Sequence, residues 1–313
     1  MGWMLDSRRT SRSRWLAFGA VALAGTLVTA PPAQAKPPTT TAWQMARSAT
    51  VRVLAGYEVE FTSNRRHQFV GSHGSGFFVG PSGYIATNAH VIDDARLNRE
   101  EARHMVLANV VTAAMYESSQ WMRTPENMLE LSRGIAAGVR IVRRVAEVVL
   151  PSGERVPYEI HAVGSSAETQ LGSDVAVLKV DRRPLAFVSL GPDISVKQGE
   201  RVRSWAYPTP PEGPESAFVQ RMPPNPRPVA ARLGTTRRDD GLALRVLSSV
   251  SEGSSGGPAF NRQGQLLGLM TFGARCEEST RAIIPVSVVA RFVEQAERNR
   301  ASSLPRASLG PVP

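Results

Sequence analysis

An all-β fold carrying one helical insertion is the architecture this sequence predicts, on three observations. Short apolar runs of strand length recur through most of the chain, divided by turns rich in Pro, Gly, Ser and Asn. Two of those turns, Pro81-Ser82-Gly83 and Pro151-Ser152-Gly153, stand between apolar runs in the manner of hairpins. Across residues 96–138 the period changes, with Leu107, Val111, Ala114 and Met115, then Met128, Leu131 and Ile135, recurring at helical spacing.

Taken in order, the first strand is expected at Ala49-Thr50-Val51-Arg52-Val53-Leu54, after a Pro/Thr-rich linker at residues 36–41. Phe77-Phe78-Val79 and Tyr84-Ile85-Ala86-Thr87 flank the first turn, and Ala146-Glu147-Val148-Val149-Leu150 and Tyr158-Glu159-Ile160-His161-Ala162-Val163 flank the second. Within the insertion, Thr124-Pro125 reads as a cap followed by proline at the first helical position, and Gly134 falls near the end of that helix. The alternation of Val175, Val177 and Lys179 marks another strand. Ala186-Phe187-Val188-Ser189-Leu190 and Arg201-Val202-Arg203-Ser204-Trp205-Ala206 open a second set. Pro208, Pro210, Pro211, Pro214, Pro223, Pro224, Pro226 and Pro228 then fill a long loop, since proline removes the ladder hydrogen bond a central strand needs. Strand pattern returns at residues 242–247, and Asn261-Arg262-Gln263-Gly264 turns the chain into residues 266–273. A last apolar stretch covers residues 284–293.

The 313 residues, 42% hydrophobic and 20% charged, suit a globular protein with one large domain or two small ones. One cysteine, Cys276, excludes an internal disulfide. Arg8, Arg9, Arg12 and Arg14 precede an apolar run from Trp15 to Ala30, and Ala33-Gln34-Ala35 follows. That order is a secretory signal peptide over residues 1–35, with cleavage expected after Ala35; left uncut, the same segment would act as a membrane anchor. Export to the periplasm or beyond the cell follows from it. The formal charge of +10 comes from scattered basic residues with no nucleic-acid module among them, so nucleic-acid binding is not expected.

Chemistry concentrates in Glu252-Gly253-Ser254-Ser255-Gly256-Gly257-Pro258. Glycine reaches backbone angles closed to other residues and admits close approach of a ligand to the main chain. Ser255 can therefore present its Oγ beside exposed amide N–H groups, so that a nucleophile and anion-stabilising donors face one carbonyl. A serine hydroxyl needs a base, and the base needs a group to orient it. His90 closes the run Tyr84-Ile85-Ala86-Thr87-Asn88-Ala89-His90, and Asp174 opens a buried-looking strand at Gly172-Ser173-Asp174-Val175. Asp93 and Asp94 are rivals for the orienting role, but they stand too near His90 in sequence to fold back onto its Nδ1 readily. The chain order His, Asp, Ser is one of three known for such triads. Nothing in these motifs calls for a cofactor or a metal.

Through Thr87-Asn88-Ala89-His90-Val91, Ser173-Asp174-Val175-Ala176-Val177-Leu178 and Gly253-Ser254-Ser255-Gly256-Gly257-Pro258, the chain resembles the chymotrypsin-like serine proteases, and among them the bacterial HtrA (Deg) group. The resemblance runs from about residue 42 to 297 and implies two six-stranded antiparallel β-barrels with a C-terminal helix. Residues 42–184 would form the barrel bearing His90 and Asp174, with the insertion at about 96–138; residues 185–299 would bear Ser255, and 300–313 a flexible tail. It implies a serine endopeptidase acting on polypeptides through an acyl-enzyme, with the amides of Gly253 and Ser255 as oxyanion hole. A catalytically silent, peptide-binding or chaperone-like barrel is the alternative. Ser249, Val250 and Ser251, with Thr271, Phe272 and Gly273, would line the substrate site; without an acidic residue at Ser249, small or medium apolar side chains are expected there. Ser254 stands where many trypsin-like zymogens have aspartate and HtrA members often asparagine, so activation by a new N-terminus is not expected. Members of the group commonly carry a following PDZ domain; within the sequence up to Pro313 none is expected. The insertion is expected to pack on the barrel, with a lid, oligomerisation arm or membrane contact as its other roles.

Overall fold

Closing a sheet on itself removes its unpaired edges, and this chain does so twice. A computed structural model describes residues 40–117, 125–166, 173–209, 225–239, 243–247, 253–272 and 281–303; the segment read as an export signal lies outside them. Strands β1 (Thr50–Phe61), β2 (Arg66–Phe78), β3 (Tyr84–Thr87), β4 (Val139–Val149), β5 (Arg155–Val163) and β6 (Ala176–Val180) close in the order β1-β2-β3-β6-β5-β4. Strands β7 (Arg201–Ala206), β8 (Arg227–Asp239), β9 (Ala243–Leu247), β10 (Pro258–Phe260), β11 (Leu266–Phe272) and β12 (Arg281–Pro285) close in the order β10-β11-β12-β9-β8-β7. Every pair is antiparallel; the second ring is completed by the short match of Ala259 and Phe260 with Ser204 and Arg203.

Alternation along the strands fills each barrel. Val51, Val53, Ile85, Val148 and Leu178 pack inside the first, and Val202, Leu233, Leu267, Met270 and Ile283 inside the second. A third cluster, with Phe77, Ala86, Val175, Trp205, Phe260, Leu269 and Ile284, lies where the two barrels meet. Helix α1 (Thr40–Ala49) docks on that seam. Its Trp43 stacks at 4.8 Å from Trp205 and meets Phe260 edge-on at 6.0 Å, while the Trp43 carbonyl accepts a hydrogen bond from Trp205 Nε1 at 3.0 Å.

Helix α1 is absent from the sequence reading and takes in Thr40 and Thr41 of the expected linker as well as Ala49 of the expected first strand. Its helical face is only Trp43, Ala46 and Ala49, too short a pattern to stand out before the seam it covers is known. The run from Ala186 to Leu190 is not a strand. Ala186 and Val188 are buried by packing into the seam, and the Val188 amide makes one ladder-like bond, to the Phe78 carbonyl at 2.8 Å. Pro228, assigned to the long loop, lies in β8 opposite Trp205. Proline is tolerated there because β8 pairs with β7 alone at that end, its pairing with β9 beginning at Arg232.

After a 3-10 turn at His90–Arg96 comes the insertion: helices α2 (Arg99–Glu117) and α3 (Pro125–Gly138). Asn98 caps α2, its Oδ1 accepting from the amides of Glu100 and Glu101 at 2.9 and 3.0 Å, while Glu101 Oε2 accepts from the Asn98 amide at 2.9 Å. That reciprocal box satisfies donors a helix start leaves bare. The buried face of α2 is Ala102, Val106 and Val110, which pack on Tyr57, Val59 and Val70. It is set one residue back from the face read from Leu107, Val111 and Ala114, which are half-buried. Helix α4 (Val286–Ser303) follows β12 and returns to the first barrel, where Phe292, Val293 and Ala296 meet Tyr84, Ala162 and Val177. Among the described residues, no helix is long and apolar enough to cross a membrane.

Trp43 joins α1 to both Trp205 and Phe260, so Trp43→Ala is expected to lower stability by about 2 kcal/mol, less than the loss of a fully buried Trp because the ring is half-buried. Urea denaturation measures it; a change under about 0.5 kcal/mol would mean that α1 contributes nothing to the seam.

Candidate active site

Asp174 lies just before β6 and is 3% exposed. A buried carboxylate is costly unless its lone pairs are met. Here Oδ2 accepts from His90 Nδ1 at 2.7 Å and from Thr271 Oγ1 at 2.7 Å, and Oδ1 accepts from the His90 amide at 3.0 Å. Asn88 Nδ2 donates to the Asp174 carbonyl at 2.7 Å, fixing the residue from its main chain as well. Because an ionised carboxylate only accepts, Nδ1 of His90 must carry the proton and Nε2 is left with its lone pair free. Burial pushes the His90 imidazole down, but the hydrogen bond and charge of Asp174, helped by the charge of Asp93, outweigh it and hold His90 above its ordinary value. The rivals are engaged elsewhere: Asp94 accepts from Ser72 Oγ at 2.5 Å, and Asp93 from Arg96 at 3.0 Å.

Ser255 sits in the loop before β10, and contacts with β2 and β3 seat that loop. The Ser75 amide donates to the Ser255 carbonyl at 2.7 Å, Ser75 Oγ donates to the Gly253 carbonyl at 2.7 Å, and the Tyr207 amide donates to Ser75 Oγ at 2.9 Å. Thr87 Oγ1 donates to the Ser75 carbonyl at 2.7 Å. Gly253 and Gly256 take the left-handed angles φ 77° and 87°. A Cβ on Gly253 would come within 2.7 Å of His73 Cε1, and one on Gly256 within 2.6 Å of Thr87 Oγ1. Position and angle both demand glycine there. A Cβ on Gly74 would touch Val91 on one side and the Ser255 carbonyl on the other, at 2.7 and 3.1 Å, so Ser255 and the turn that opens with His90 are separated by little more than one glycine. No hydrogen bond joins Ser255 Oγ to His90 in this arrangement. The amides of Gly253 and Ser255 donate to no acceptor among the described residues.

Of the residues expected to line a substrate site, Ser249, Val250, Ser251 and Gly273 fall outside the described residues. Phe272 ends β11, paired with Arg281. Thr271 is 2% exposed with its hydroxyl on Asp174, so its side chain orients the carboxylate and only its main chain is left to form a wall.

The sequence reading missed His73. It is 7% exposed, bonded through Nε2 to Thr209 Oγ1 at 3.1 Å, and its Nδ1 has no hydrogen-bond partner among the described residues. An isolated histidine at the start of Gly74-Ser75-Gly76 gives no periodic signal; only its contact with Gly253 reveals the placement.

Two closed antiparallel barrels, with an imidazole–carboxylate pair and a glycine-walled serine where they meet, define the chymotrypsin-like class. The family of trypsin-like peptidase domains matches residues 74–269, and the chain belongs to that family. It is 26% identical over 204 residues to a probable periplasmic DegP-like serine endoprotease of Rhizobium meliloti, covering 64% of this chain and 28% of the relative. It is 24% identical over 239 residues to a mitochondrial HTRA serine protease of Bos taurus, covering 74% of this chain and 39% of that one. The chain thus spans well under half the length of these relatives. A crystal structure of the serine endoprotease from Yersinia pestis superposes with a TM-score of 0.48 at 21% identity, covering 84% of this chain and 68% of that one.

Burial, with the charge of Arg52 nearby, depresses His73 from 6.5 to about 4. As pH falls below 6.5 the unfolded chain takes up this proton before the folded one, so the stability tied to neutral His73 is full above 6.5 and lost towards pH 4. The loss is expected to reach about 3 kcal/mol. His73→Asn should flatten that slope in denaturant titrations at pH 6.5 and pH 4; an unchanged slope would assign the acid sensitivity to other groups.

Proposed function

We propose that the chain is an exported serine endopeptidase that cleaves polypeptides through Ser255, His90 and Asp174. The observation that carries this reading is the Asp174 carboxylate, whose bond to Nδ1 leaves His90 Nε2 as a free acceptor, while Gly74 alone stands between Val91, next to His90, and the Ser255 carbonyl. Nε2 takes the proton from Ser255 Oγ as that oxygen attacks the scissile carbonyl. The imidazolium so formed is stabilised by Asp174, then protonates the leaving amine, and water repeats the sequence to free the acyl-enzyme. The amides of Gly253 and Ser255 receive the oxyanion, a contribution typically worth about 10²- to 10³-fold in rate per donor. The Ser255–His90 hydrogen bond forms on substrate binding, as is common where the resting geometry is loose.

Export rests on the order of basic residues, apolar run and Ala33-Gln34-Ala35 in the sequence, and on the periplasmic DegP-like relatives. Substrate main chain would add along the residues after Thr271, and the non-acidic Ser249 favours small or medium apolar side chains at the primary site.

A fluorophosphonate probe is expected to label the wild type and to lose labelling in Ser255→Ala and in His90→Ala. Labelling that survives both changes would leave the silent, peptide-binding reading standing.

Peptidase activity should rise with pH through a midpoint above 6.5, because His90 must shed a proton that Asp174 helps to hold. Asp174→Asn should lower kcat by about 10⁴-fold; a kcat within tenfold of wild type would remove Asp174 from the mechanism.

A further inference from the structure

Between the helical insertion and the first barrel lies a cleft of about 470 Å³ that the peptidase reading does not use. Four arginines line it: Arg99 and Arg103, one turn apart on the first half of α2, and Arg140 and Arg144 on β4. Its accessible apolar lining is Val139 and Ile141, half-buried beside Tyr57 and Ala102, which are buried in the cluster that docks α2 on the barrel.

The charge in this cleft is not balanced from within. Arg140 is neutralised by Glu60, which Arg65 shares at 2.9 Å. Arg144 donates to the Leu97 carbonyl at 3.1 Å, a neutral acceptor that also receives Tyr57 Oη at 3.2 Å. Arg99 and Arg103 have no ion-pair partner among the described residues. Three guanidinium groups thus line one small volume without a matching carboxylate among its lining residues. A second basic pocket, at Lys179, Arg182, Arg183 and Arg300, differs: Asp181 lines it and Glu154 pairs with Arg182.

We propose that the cleft binds the phosphate head of an anionic phospholipid. Guanidinium forks match phosphate oxygens two at a time, which accounts for the rim. A free phosphate would gain nothing from the apolar lining, whereas the glycerol and first methylenes of a lipid would cover it; an acidic peptide is separated from the lipid by the competition below. The site gives the insertion a task at a membrane surface without a spanning helix. It is independent of the chemistry at His90.

The test uses the full chain and soluble dihexanoyl phosphatidylglycerol below its micelle-forming concentration, titrated by calorimetry, so that the apolar N-terminal run does not anchor the protein to a vesicle. Saturable binding is expected, weakened about thirtyfold in the double variant Arg99→Ala with Arg103→Ala and unchanged in Arg183→Ala. Both α2 residues are exposed, and an unaltered thermal transition shows that the variant folds. Glycerol phosphate and inorganic phosphate should bind more weakly than the lipid, because they leave the apolar lining bare. Four results would overturn the proposal: binding that ignores Arg99 and Arg103, an equal loss in Arg183→Ala, inorganic phosphate binding as tightly as the lipid, or poly-glutamate displacing the lipid at lower concentration.

Discussion

The carboxylate of Asp174 is where the two barrels become one device. It belongs to the first barrel, but one of its three side-chain-level donors, Thr271 Oγ1, comes from β11 of the second, while the other two come from His90. A buried charge met by three donors keeps one position, because losing any donor exposes a desolvated oxygen with nothing to replace it. The tautomer and tilt of His90 therefore depend on Asp174, and through it on where β11 of the second barrel places Thr271.

Ser75 does for the serine loop what Asp174 does for the histidine. Its amide, hydroxyl and carbonyl are all spent, on the Ser255 carbonyl, the Gly253 carbonyl and Thr87 Oγ1 respectively, and its hydroxyl also accepts from Tyr207. One small residue of β2 thus ties the Ser255 loop to the strand that leads to His90. The loop in turn needs glycine at 253 and 256, because the Tyr207 and Ser75 carbonyls, with His73 and Thr87 beside them, stand where side chains would go. The seam's apolar cluster, capped by Trp43, supplies the rigidity that makes these polar contacts specific.

Much of this was legible in the residues themselves. The three motif segments gave His90, Asp174 and the serine loop because each pairs an unusual residue with a local pattern that few other purposes require. Strands β3 to β6 and β11 were visible as apolar runs between strong turns. The misses share a cause: they depend on partners distant in sequence. Helix α1 has a face three residues wide that means nothing without Trp205 and Phe260. Ala186 to Leu190 looks like a strand because burial alone selects the same residues. His73 and the hydroxyl of Thr271 acquire meaning only from Gly253 and Asp174. The face of α2 was misread by one residue because Leu107 and Val111 are as apolar as Val106 and Val110, and only the barrel surface chooses between the two stripes.

The insertion leaves the chain at a sensitive point, directly after the turn that begins with His90. It can grow there without disturbing the site because it brings its own core. Ala102, Val106 and Val110 pack on Tyr57, Val59 and Val70, on the far half of the long β1–β2 hairpin from the residues that touch the serine loop. The connection is pinned at Leu97, whose carbonyl holds both Tyr57 and Arg144, and at Asn98, whose side chain starts α2. Between that connection and His90, Val91 and Ile92 are buried in the first barrel's core. A turn that opens with His90 and is anchored on one side by Asp174 and on the other by that core can carry an accessory surface of opposite character, charged and open, with little effect on its own geometry.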